Sequence, residues 1–133
     1  MLARASSCVG SSWCHAMFKI KYCHPIFDDV RVRFFTYLRL KEISERYDMP
    51  IKKVGFNSNR VHFRVDIKLR SKPEVAKIIK GITGKKILEA FPEIKKKYFW
   101  GSGFWNPAYL MDNIGGDEGA IDNYIASQKY PIN

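Results

Sequence analysis

Val61, Phe63, Val65, Ile67 and Leu69 alternate strictly with Arg60, His62, Arg64, Asp66, Lys68 and Arg70. A period of two marks a strand with one face in a core and the other toward water. The wet face of this stretch, residues 59–70, carries four cations and a histidine, more than a structural strand needs. A polyanion is the natural partner for such a surface. An edge strand that uses charge to block aggregation is the plainer reading.

The rest of the chain punctuates itself. Residues 1–11 have no periodic signal and read as a loose leader, and residues 12–133 as one domain. Residues 13–22 predict a first strand, broken by Pro25. Asp28 or Asp29 can cap a helix to about Tyr47, with Phe34, Leu38 and Phe35 on its expected buried side. Residues 51–56 predict a second strand, joined by Asn57-Ser58-Asn59 to the charged one. Ser71-Lys72-Pro73-Glu74 is a capping box that opens a helix through Val75, Ile78, Ile79 and Ile82. That helix allows an interruption at Gly81 or Gly84, continues through Ile87, Leu88 and Phe91, and ends at Pro92. A fourth strand is expected over 108–113. Asp117 then caps a last helix to about Lys129, stopped by Pro131. The order β-α-β-β-α-β-α predicts an α+β fold, a ferredoxin-like or RRM-like antiparallel sheet with helices on one face plus a C-terminal helix. Its open face would display Arg60, His62, Arg64 and Lys68.

Composition narrows the partners. Lys plus Arg is 23 against 13 acids, a formal charge of +10 over 133 residues, which points to nucleic acid or an anionic surface. The cations lie mainly on a strand, not on one amphipathic helix, so a membrane role is remote. No apolar run is long enough to span a bilayer and no export signal is evident, so the cytoplasm is the expected location. Cys8, Cys14 and Cys23 are odd in number, which suits free thiols. Cys14-His15 and Cys23-His24 offer four zinc-type ligands, but a strand between them would hold the pairs about 30 Å apart.

A set of short motifs carries a resemblance. Cys14-His15-Ala16-Met17-Phe18 leads to Lys21-Tyr22, and Asn59-Arg60-Val61-His62 follows. Lys80-Gly81-Ile82-Thr83, Phe91-Pro92, Phe99-Trp100-Gly101, Phe104-Trp105-Asn106-Pro107-Ala108-Tyr109 and Tyr124-Ile125-Ala126-Ser127-Gln128 come next, in that order. Together they resemble the single-tyrosine HUH transposases of the IS-two-hundred type, over nearly the whole chain. That resemblance implies DNA transposition: binding of single-stranded DNA with hairpin ends, and cleavage and rejoining through a 5′-phosphotyrosine. It makes Tyr124 the nucleophile and His62 and Gln128 ligands of a divalent ion, Mg²⁺ or Mn²⁺. It also implies a homodimer, with the last helix exchanged between subunits.

The pattern breaks at one place. Where the family has the first histidine of its pair, this chain has Arg60, whose guanidinium offers no lone pair to a metal. Asn59 and Gly55 stand where the family often has acids, and Asp66 lies about 13 Å from His62 along the strand, too far to replace them. His15, Asn59 and Arg60 become candidates to support the site or to meet the scissile phosphate. Three readings stay open: a decayed copy that binds without cutting, a site in which Arg60 neutralises the phosphate, or a different residue completing the metal site. A non-catalytic binder of single-stranded DNA or RNA is the alternative function. Arg64, Lys68, Arg70, Lys85, Lys86, Lys95, Lys96 and Lys97 are the candidate DNA-backbone contacts. Trp100, Phe104 and Trp105 are open to base stacking or to core packing.

Overall fold

The computed structural model describes residues 12–99 and 101–132; the leader expected over 1–11 and the stacking candidate Trp100 lie outside them. Strand β1 (Trp13–Ile20) buries every second residue, Cys14, Ala16, Phe18 and Ile20, against two long helices. The first of these, α1 (Val30–Arg46), starts where the Asp29 side chain accepts the Arg31 N–H, so the cap acts as its sequence suggests. Strands β2 (Ile51–Asn57) and β3 (Arg60–Asp66) form a tight hairpin. Helix α2 (Lys72–Ala90) is capped by Ser71, whose hydroxyl accepts the Glu74 N–H. A short helix α3 (Pro92–Tyr98), strand β4 (Trp105–Asn113), helix α4 (Glu118–Ala126) and a two-residue strand β5 (Tyr130–Pro131) complete the chain.

The strands pair antiparallel in the order β4-β1-β3-β2-β5, the ferredoxin-like arrangement with one strand added at the β2 edge. Helices α1 and α2 share the inner face. Phe18, Phe27, Phe56, Phe63 and Phe104 fill the space beneath them. Two buried threonines are accommodated by local bonds: Thr36 donates to the Val32 carbonyl, and Thr83 donates to that of Ile79 while accepting from Trp105 Nε1. Helix α4 lies on the opposite, outer face.

Several boundaries and faces differ from expectation. β1 stops at Ile20 and gives way to a 3₁₀ turn, with Tyr22 and Cys23 at positive φ. β3 stops at Asp66, and Lys68 turns at φ +53. α1 buries Val32, Thr36, Leu40 and Ile43, leaving Phe34 60% exposed and Leu38 on the surface. Apolar residues occupy both sides of this helix, so its periodicity does not choose between them. α2 runs unbroken through Gly81 and Gly84, because Gly84 packs under Trp105 and needs no special backbone angle. Pro92 closes α2 and also opens α3, as suits a residue without an N–H. β4 begins earlier than expected, at Trp105. The last helix ends at Ala126, and the chain after it pairs with β2.

A bulge in β2 sets the outer face. Three steps from Lys52 to Gly55 oppose two from Arg64 to His62, with Lys53 at φ +58. The extra residue restores Gly55 and Asn57 to the same face as His62 and Arg60. Gly55 is needed there because α4 comes so close: an added Cβ would lie 2.6 Å from the Ile125 carbonyl oxygen and 3.0 Å from its Cγ2. Gly55→Ala is therefore expected to lower stability by about 1–3 kcal/mol. Urea unfolding checks this, read as a midpoint shift at constant m-value.

Candidate functional site

The outer face is built from alternate residues of three central strands. The register places Lys19 opposite Arg60, Met17 opposite His62 and His15 opposite Arg64. On the other side of β1, Asp112 stands opposite His15. β3 is thus a central strand, not an edge, and the open basic face expected of it is largely closed. Arg64 is only 7% exposed. Its Nη1 lies 3.1 Å from Glu118 Oε2 and its Nε 2.9 Å from Asp122 Oδ1, both acids on α4. Its guanidinium also lies over the Trp13 ring.

That ion pair lays α4 across the strand and brings Tyr124 to two histidines. His15 and His62, diagonal neighbours in the ladder, stack with ring centroids 5.3 Å apart, and His15 Nε2 is 3.1 Å from His62 Nδ1. The Tyr124 ring meets both edge-on, at 5.9 Å from His15 and 5.3 Å from His62, and is half exposed. His62 is 3% exposed and its Nε2 has no hydrogen-bond partner among the described residues. Burial, with smaller contributions from His15 and the Arg60 charge, pushes the His62 imidazole down to about 4. Burial also lowers His15, opposed by the charge of Asp112.

Gln128 lies beyond the end of α4, not on it, and its amide is committed at both ends. Oε1 accepts from Asn57 Nδ2 at 2.6 Å and Nε2 donates to the Tyr124 carbonyl at 3.1 Å. Asn57 Oδ1 in turn accepts the Lys129 N–H, so Asn57 fixes the chain as it leaves the helix. These residues do not fit a centre for Mg²⁺ or Mn²⁺. Such ions ask for about six ligands, mostly oxygen. Here the histidines bond to each other and the amide oxygen already accepts from Asn57. Among the described residues no three His, Cys, Asp or Glu side chains gather to hold a metal. The zinc-type pairs do not meet either. Cys14 points into the core and donates to Asn113 Oδ1, while Cys23 is exposed beyond the strand's far end.

Arg60, two residues from His62 on the same face of β3, donates its Nε to Asn59 Oδ1 at 3.0 Å. The other basic candidates lie elsewhere. Lys68 pairs with Asp48, and Arg70 donates to the Tyr47 carbonyl, so both secure the end of α1. Lys85 and Lys86 are exposed on α2 and Lys95, Lys96 and Lys97 on α3, in the helical layer behind the sheet. Phe104 and Trp105 are buried core residues, which resolves their two readings in favour of packing. Sequence reasoning missed Glu118, Asp122 and Asn57. Two acids at i and i+4 on a helix, in a chain with a basic strand, were the available signal for the first two.

The fold and this cluster define a class. A model of the family "Transposase IS200 like" matches residues 8–128, and the chain belongs to that family. A curated relative, the ISDra2 transposase TnpA of Deinococcus radiodurans, is 35% identical over 57 residues, which is 42% of this chain and 40% of that protein. The matched segment thus spans well under two thirds of the relative's length. A crystal structure of a transposase-like protein from Deinococcus radiodurans R1 superposes with a TM-score of 0.68 at 24% identity, covering 87% of this chain and 89% of that one. At that identity the likeness speaks for the fold alone. No helix among the described residues is long and apolar enough to cross a membrane.

The buried imidazole has a consequence for stability. The unfolded chain protonates His62 near pH 6.5 and the folded chain only near 4. Between those values the unfolded state binds the extra proton, so stability is lost as pH falls through the window and is complete above it. The contribution is about 3 kcal/mol at most. Chemical denaturation from pH 7 to pH 4 should show this slope in wild type and a shallower one in His62→Gln.

Proposed function

We propose that this chain binds single-stranded DNA carrying hairpin ends and cleaves and rejoins it in DNA transposition, with Tyr124 as nucleophile. The observation that carries the reading is the position of Tyr124: half exposed, on the helix that closes the sheet, with its ring against His15 and His62 and with Arg60 two residues from His62 on the same face. In this step the Tyr124 hydroxyl oxygen attacks the phosphorus as the bond to the 3′ oxygen breaks. The strand leaves with a 3′-hydroxyl, its oxygen taking a proton from solvent, the 5′ phosphate stays on the tyrosine, and the phenolic proton passes to solvent. Reversal by another 3′-hydroxyl rejoins DNA without an external energy source. The family identity and the net charge of +10 support a nucleic-acid substrate. The protein acts in the cytoplasm as a homodimer in this reading. The packing of α4 on its own sheet supports use of each subunit's own Tyr124, and exchange of the last helix would instead bring Tyr124 to the partner's sheet.

A second reading is a DNA-binding descendant that no longer cuts, and the incomplete donor set for a divalent ion favours it. Incubation with single-stranded oligonucleotides from the ends of the surrounding genetic element, followed by a denaturing gel, separates the two. A covalent protein–DNA band in wild type that is lost in Tyr124→Phe is expected. Retarded migration on a native gel with no covalent band would leave the binding-only reading.

A further inference from the structure

Two cations face each other on the outer sheet with no counter-charge among the described residues. Lys19 and Arg60 are direct cross-strand partners, both half-buried, and like charges in that position destabilise a sheet. Among the described residues neither has a carboxylate within ion-pair distance. Arg64, four residues along the same face, shows the contrast: its guanidinium is held by two acids. Arg60 has its Nε on Asn59 Oδ1, which orients the guanidinium, while its Nη groups have no hydrogen-bond partner among the described residues. A planar fork with free donors matches a phosphodiester, and a lysine beside it adds a point charge. The same face holds His62, on which Tyr124 rests.

We infer that Lys19 and Arg60 form a clamp for one phosphodiester of a bound single strand beside Tyr124, and that this contact needs no divalent ion. The inference rests on the proposal that single-stranded DNA is the substrate. It gives the unneutralised cations a partner, and it assigns to this chain's own guanidinium the charge neutralisation that the available donors are poorly placed to obtain from a metal. It does not depend on whether the strand is cut.

Fluorescence anisotropy of a labelled oligothymidylate, with full-length protein in EDTA and again in Mn²⁺, tests it. Wild type is expected to bind with Kd values within twofold in the two conditions. Arg60→Gln and Lys19→Gln should each weaken binding about tenfold and flatten the dependence of log Kd on log salt by about 0.7, the release from one phosphate contact. Circular dichroism melts check that each variant folds; should one fail, the other carries the test. Calorimetric titration of free wild-type protein with Mn²⁺ should give no binding heat. Wild-type affinity in both variants overturns the clamp, and binding tenfold tighter in Mn²⁺ than in EDTA overturns its independence of metal. Protein that binds no single strand in either condition overturns the functional proposal itself, and the clamp with it.

Discussion

A guanidinium buried in the middle of a sheet has to be answered, and Arg64 is the constraint on which the outer face depends. An unpaired charge at 7% exposure would cost several kcal/mol. Glu118 and Asp122, one turn apart, answer it from α4. Once those two acids sit over β3, the helix has little freedom. Ile125, one turn further, meets the notch at Gly55, and Tyr124 comes down on the histidine pair. Asn57 then fastens the chain beyond the helix through Gln128 and Lys129. The site is therefore a by-product of how the sheet buries its own positive charge.

The same constraint divides the basic residues by task. Arg64, Lys68 and Arg70 share one alternating strand pattern in sequence, yet all three are occupied within the fold. Arg60 and Lys19, paired across the outer face, have no carboxylate partner among the described residues. The exposed lysines of α2 and α3 belong to the other layer, where they add to the field of the protein and not to the site. A net charge of +10 thus favours an anionic partner without saying which residues meet it.

Much of the fold could be read from the sequence because its signals were local. Asp29 and Ser71 cap the helices they precede, and Val61, Phe63 and Val65 of β3 are buried as their alternation suggests, whereas Leu69 lies beyond the strand and is fully exposed. What could not be read was set by contacts distant in sequence. A polar residue on an alternating strand faces away from the core, but the pattern does not distinguish water from a helix bearing acids. Thr36 looks like a surface residue until its hydroxyl bonds the Val32 carbonyl and lets that side of α1 turn inward, leaving Phe34 outside. Lys53 gives no hint of the bulge that resets β2. At the site, His15, His62, Tyr124 and Arg60 were all nameable in advance. The bond between the two imidazoles and the double commitment of Gln128 were not, and those contacts decide that the donors are a poor cage for a metal ion.

The central claim is that each chain closes its own sheet with its own α4, placing its own Tyr124 on His15 and His62. An isotope-filtered nuclear Overhauser spectrum of an equimolar mixture of ¹³C-labelled and unlabelled protein tests this most directly. Contacts between the Tyr124 ring and the His62 ring should appear within labelled chains. Contacts found only between labelled and unlabelled chains would contradict the account and place the helix on a partner's sheet.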